Sequence, residues 1–188
     1  MKRVIIVHGW EGYPEEGWFP WLKRELEKKG FEVTVPQLPH TDKPRIQNWV
    51  PALKKAIGTP DKETFLVGHS MGCITILRYL EGLKNSEKIG EAILVAGFTD
   101  NLGYNELQNF FETSIKWAEI KKHCKKFVAI NSDDDPNVPL KHGPVFKEKL
   151  GAELIVEHKK GHFDDNAGIK ELPPALGSLL KFVTKKKT

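Results

Sequence analysis

The sequence predicts an α/β fold built on a parallel sheet, and three observations predict it. Six short runs rich in β-branched residues recur along the chain. Longer stretches with helical apolar spacing separate them, the alternation that βαβ units produce. One run passes straight into a helical stretch through Gly68-His69-Ser70-Met71-Gly72, a G-x-S-x-G turn.

The strand candidates are Val4–Val7, Phe31–Val35, Thr64–Val67, Ala92–Val95, Phe127–Ile130 and Glu153–Val156. Their nearly continuous apolar character suits strands covered on both faces. The first helix is expected over Trp18–Lys29, where Trp18, Trp21, Leu22 and Leu26 share a face and Gly30 supplies a stop. Further helices are expected over Ile46–Ile57, Met71–Leu83, Trp117–His123, Leu140–Leu150 and Leu172–Thr184. Right-handed crossovers then place helices on both faces of the sheet. No repeat or linker interrupts the pattern, so residues 1–188 read as one domain. The stretch 97–116 departs from the rhythm: it holds Phe98, Tyr104, Phe110 and Phe111 without a clean period. It reads either as a lid or substrate wall, or as a surface excursion pinned by its aromatics.

Composition narrows the classes. Hydrophobic residues at 39% and charged residues at 29% give an ordinary globular balance. Part of the net charge of +4 sits in Lys185-Lys186-Lys187, a solvated terminal run, and no compact basic face favours nucleic acid. Cys73 and Cys124 have no metal or redox spacing and read as buried thiols. Val4–Val7 is too short for a signal-peptide core, and no stretch is long enough to span a bilayer. The expected protein is cytoplasmic, without membrane attachment, metal or cofactor.

The G-x-S-x-G turn points to chemistry. A serine on a tight strand-to-helix turn is lifted above the sheet at a helix N-terminus, and glycines are needed where side chains have no room. Its hydroxyl is a poor nucleophile unless a base takes its proton and an acid orients that base. On such sheets the chain order is serine, acid, histidine. After Phe127–Ile130 comes Asn131-Ser132-Asp133-Asp134-Asp135-Pro136-Asn137-Val138-Pro139, and after Glu153–Val156 comes His158-Lys159-Lys160-Gly161-His162-Phe163. His162 is the favoured base, with His158 the runner-up. His69 precedes the nucleophile and is expected to point away from it, while His40, His123 and His142 are expected on exposed loops or helix ends. Asp135, opening D-x-x-V-P, is the favoured acid over Asp134. Asp133 and Asp134 could instead cap that loop.

Acyl transfer also needs two backbone donors facing the developing oxyanion. The N–H of Met71 is one candidate. Trp10, in the His8-Gly9-Trp10-Glu11-Gly12 loop after the first strand, supplies the other. If the second and third strands flank the first, both loops meet at the switch point of the sheet. Trp10, Trp18, Phe98, Phe111 and Phe163 are the expected pocket walls.

With these residues in hand, the chain resembles the small serine-hydrolase family typified by retinoblastoma-binding protein 9 and bacterial YdeN-like proteins. The likeness runs through Gly17-Trp18-Phe19-Pro20-Trp21-Leu22, Trp49-Val50-Pro51, the elbow with Arg78-Tyr79, Leu102-Gly103, Trp117 with Ile120-Lys121, Asp134-Asp135-Pro136 and Gly161-His162-Phe163. It implies a minimal α/β-hydrolase fold: six parallel strands in the order 2-1-3-4-5-6 without a large cap. It also implies a triad at Ser70, Asp135 and His162. His8-Gly9-Trp10 departs from the family's glycine-rich loop. The L-x-C-x-E motif for retinoblastoma protein is absent, Ile57-Gly58-Thr59-Pro60-Asp61 standing in its place, so that partner is not expected.

The leading reading is hydrolysis of a small carboxylic ester, thioester or amide through an acyl-enzyme on Ser70. The rivals are a binding or scaffolding protein with a vestigial triad, and an acyltransferase or perhydrolase on the same residues.

Overall fold

Alternation along the strands sorts their side chains onto two covered faces. The structure, a computed structural model, describes residues 1–184, so Lys185-Lys186-Lys187 lies outside the described residues. Its strands are β1 (Arg3–Val7), β2 (Glu32–Thr34), β3 (Thr64–His69), β4 (Ile89–Val95), β5 (Cys124–Ser132) and β6 (Glu153–Glu157). They form one six-stranded parallel sheet in the order β2-β1-β3-β4-β5-β6. Helices α1 (Phe19–Glu27), α2 (Ile46–Ile57), α3 (Met71–Glu81), α4 (Trp117–His123), α5 (His142–Leu150) and α6 (Pro173–Thr184) cover it. The chain thus has the α/β-hydrolase fold in its six-stranded form.

On one face Ile5, Val7, Leu66, Ala92, Leu94 and Ala129 meet Trp49 and Leu53 of α2, the apolar side of α3, and Phe146 of α5. On the other, Val4, Ile6, Val67, Ile93 and Ile130 meet Phe19, Leu22 and Leu26 of α1 and Ala175 and Leu179 of α6. The central strands β3 and β4 are buried along their whole length, as their apolar sequences require. The edges behave differently: β2 is reduced to three residues, and Glu32 and Thr34 face water.

The irregular stretch 97–116 is a buttress rather than a free flap. It contains one turn-like 3₁₀ helix, Asn105–Phe110, and buries Phe98, Leu107 and Phe110 against the first core. Arg78 of α3, only 6% exposed, donates to the carbonyls of Phe110, Thr113 and Ser114. Asn109 ties the stretch to α2 by accepting from the Ile46 N–H and donating to the Pro44 carbonyl. Among the described residues no helix is long and apolar enough to cross a membrane.

Candidate active site

β3 turns into α3 at Ser70, which holds the strained backbone. Its φ is 52° and ψ −118°, a region that costs a non-glycine residue about 1–3 kcal/mol. Two bonds fix the turn: the Ser70 N–H donates to Val95 O at 2.9 Å, and the Cys73 N–H donates to Ser70 O at 3.0 Å. The flanking glycines answer to space. A Cβ on Gly68 would stand 2.7 Å from Cys73 N, and one on Gly72 would stand 2.1 Å from Val7 O. The helix therefore packs directly on the end of β1.

That packing brings the β1 loop to the serine. A Cβ on Gly9 would lie 3.1 Å from Ser70 Cβ. His8, fully buried, donates from Nδ1 to Gly9 O at 2.8 Å and accepts the Leu38 N–H at Nε2 at 3.0 Å. The Gly12 N–H donates to the same Gly9 carbonyl at 3.1 Å. The Gly9–Trp10 peptide is thereby pinned by its oxygen, which fixes the opposite direction of the Trp10 N–H. Burial holds the His8 imidazole below its ordinary pKa and so in this neutral, donor-plus-acceptor form.

The three consecutive aspartates divide the labour along the loop that follows β6. Asp133 accepts from His158 and from the Lys159 N–H, contacts that hold its carboxyl below the usual range, the Lys159 bond first. Asp134 accepts from the Ser132 hydroxyl and the Gly161 N–H, and is lowered by both in that order. Asp135 reaches His162, with Oδ2 2.9 Å and Oδ1 3.1 Å from Nδ1. Its Oδ1 also accepts the N–H groups of Asn137 and Val138. A carboxylate only accepts, so Nδ1 carries the proton and Nε2 is left as a base. His158 therefore pairs with a different acid, and its ring is 75% exposed.

Ser70, His162, Trp10 and Met71 line one cleft of about 390 Å³. The hydrogen bonds among the described residues include none between Ser70 Oγ and His162, a looseness common before substrate binds. Likewise, no backbone carbonyl among the described residues takes up the Trp10 or Met71 N–H.

Several expectations need correction. Of the expected walls, Trp10 and Phe98 line the cleft, but Trp18, Phe111 and Phe163 do not. Trp18 and Phe163 are buried behind it, where Trp18 Nε1 donates to the Phe163 carbonyl at 2.9 Å. Phe111 packs behind Phe98, its ring centre 5.9 Å away. Leu102, Tyr104 and Leu107 from the 97–116 stretch, Asn137 and Val138 after Asp135, and Glu11, Glu16, Asp164 and Asn166 also line it, as do Gly9 and His69, the histidine expected to point away from the nucleophile. His123 and His142, expected to be exposed, are buried. His142 accepts from Thr99, and His123 bonds the Glu87 carbonyl.

His69 is not idle. Its Nε2 donates to the His162 carbonyl at 2.7 Å, and the two rings lie 4.9 Å apart. Burial first, then the neighbouring His162, pushes the His69 pKa down to about 3, so it stays neutral. The carbonyls of His162 and Phe163 are thus held by successive buried donors, His69 and Trp18. Among the described residues, no group of three or more His, Cys, Asp or Glu side chains is arranged to hold a metal ion.

Comparison with known proteins adds to the geometry. The family model described as "Serine hydrolase" matches residues 4–181. The chain is 32% identical to YdeN of Bacillus subtilis over 185 residues, covering 98% of this chain and 97% of that protein. It is 30% identical to the serine hydrolase RBBP9 of Rattus norvegicus over 183 residues, covering 95% of each. The crystal structure of the B. subtilis ydeN product superposes with a TM-score of 0.94 over 98% of this chain and 100% of that one. Est1E from Butyrivibrio proteoclasticus shares the fold, with a TM-score of 0.75 at 15% identity over 97% and 88% of the two chains.

Proposed function

The chain belongs to the serine hydrolase family, and from that premise we propose that it cleaves small carboxylic esters through an acyl-enzyme on Ser70. One observation carries the proposal: Ser70 and His162 open onto a single cleft while Asp135 holds the far nitrogen of the imidazole. His162 Nε2 takes the Oγ proton as Oγ attacks the ester carbonyl. Asp135 keeps the ring in the required tautomer and stabilises the imidazolium. The N–H groups of Trp10 and Met71 receive the oxyanion. His162 then gives its proton to the departing alkoxide, and water, deprotonated by the same nitrogen, releases the acid and restores Ser70.

The strained elbow at Ser70, with φ 52°, supports this reading because it is the backbone that lifts a nucleophile above the sheet. A cleft of about 390 Å³, with no cap domain above it among the described residues, suits short acyl groups. Thioesters and amides would pass through the same steps.

A fluorophosphonate probe tests the nucleophile. Wild-type protein should label on one serine and Ser70→Ala should not; equal labelling of both defeats the proposal. A series of p-nitrophenyl esters tests the acyl group, with kcat/KM expected to peak at acetate or butyrate. An optimum at long chains would remove the small-acyl assignment.

A further inference from the structure

The cleft has a sign. Its walls carry three carboxylates, Glu11, Glu16 and Asp164, and no lysine or arginine, although the chain as a whole has a net charge of +4. Among the described residues none of the three forms an ion pair; the adjacent Asp165 is matched to Lys170. Glu16 Oε2 is buried without a hydrogen-bond partner. Burial, and then repulsion from Asp165 and Asp164, holds this carboxyl above its ordinary range. An incoming cation relieves the repulsion between Glu16 and its acidic neighbours.

The position of the acids says which part of the substrate they meet. Asp164 follows His162 by two residues, and Glu16 lies within electrostatic reach of the same imidazole. His162 hands its proton to the departing oxygen, so the leaving group exits on this side. Trp10 and Tyr104 line the same cleft, packed edge to face with ring centres 5.9 Å apart, and Tyr104 is 49% exposed. Aromatic rings beside carboxylates are the combination that holds alkylammonium groups.

We propose that the preferred ester has a cationic leaving group, an amino alcohol whose ammonium is held by Glu16 and Asp164. The inference rests on the ester-hydrolase reading above. It also sets anionic leaving groups, nucleotide-bearing thioesters among them, at a disadvantage. The competing role for the acids is stabilisation of the His162 imidazolium, which would speed every substrate alike.

Two acetate esters of equal shape separate these roles: choline acetate, and 3,3-dimethylbutyl acetate as its neutral counterpart. In wild-type protein at low ionic strength the cationic ester should have a roughly tenfold higher kcat/KM. The ratio should shrink as salt screens the carboxylates. In Glu16→Gln, and again in Asp164→Asn, it should fall toward one, with fluorophosphonate labelling of Ser70 checking that each variant keeps its site. Equal kcat/KM for the two esters in wild-type protein overturns the inference and leaves the hydrolase standing. So does a Glu16→Gln variant that slows both esters by one common factor. Absence of turnover of both esters also overturns it, and if Ser70 resists the probe as well, the hydrolase reading falls too.

Discussion

His69→Phe removes one partly buried hydrogen bond and can be read in both stability and rate. Phenylalanine keeps the ring that packs beside Trp18 and Phe19 but removes the Nε2 donor, leaving the His162 carbonyl without its partner. A stranded, partly buried acceptor costs about 2 kcal/mol, and that deficit should appear in urea melts at pH 8 with an unchanged m value. The deficit should then vanish with acid. The folded pKa of His69 is about 3, against 6.5 in a free side chain, so the unfolded chain takes up the extra proton between these values. Wild-type stability from this group is complete above 6.5 and falls as pH drops below it, by up to about 1.4 kcal/mol per pH unit. The variant has no such proton to bind. The two melting curves should therefore meet near pH ~5, where the wild-type loss equals the ~2 kcal/mol missing from the variant. Because the contact seats the base, kcat for p-nitrophenyl acetate should fall about 100-fold while KM moves less. His69→Gln, whose amide nitrogen reaches the same carbonyl, should recover most of both losses. A deficit that stays constant from pH 8 to pH 5, or a folded variant with wild-type kcat, would refute the coupling.

Three further outcomes are expected. Asp135→Asn should lower kcat about 10⁴-fold while thermal melting changes little, because an amide oxygen can still accept from Asn137 and Val138. Gly72→Ala drives a Cβ to 2.1 Å from the Val7 carbonyl and should cost at least about 3 kcal/mol, read as a drop in Tm by calorimetry. Glu91→Ala, at the far end of β4, removes the buried carboxylate that Lys126 and Ser178 share, leaving them to each other and Lys126 to Glu153, and should cost about 2 kcal/mol while leaving kcat/KM intact in the folded protein.

The strands were legible because a parallel strand covered on both faces has to be apolar throughout, as Phe65-Leu66-Val67 and Ile93-Leu94-Val95 are. Helices α2 and α4 begin and end where their periodicity does. The first helix starts one residue later than its apolar spacing suggests, since Trp18 sits at the cap with Pro20 just inside. The order serine, acid, histidine carried the assignment of Ser70, Asp135 and His162, because loops at one edge of a parallel sheet converge whatever their separation in sequence. The walls were harder to read. Trp18 and Phe163 look like pocket residues by type, yet an aromatic ring fits a core as well as a cleft, and only the turn of the backbone decides. Glu16 and Asp164 carry no motif; their place depends on how two loops fold over Gly12 and Gly161. The Asp133–Asp135 run hinted at redundancy, whereas each carboxylate proved to have its own partner.

That run has a consequence for anyone altering this enzyme. Residues 133–135 and 158–162 are matched tooth by tooth, so inserting one residue on either side would hand the imidazole the wrong carboxylate and strip the neighbours of theirs. The two loops form a single exchangeable part, to be transplanted together or left alone. New acyl preferences are better sought at Leu102 and Leu107, apolar walls of the cleft where side chains can change without shifting the gauge by which acid meets base.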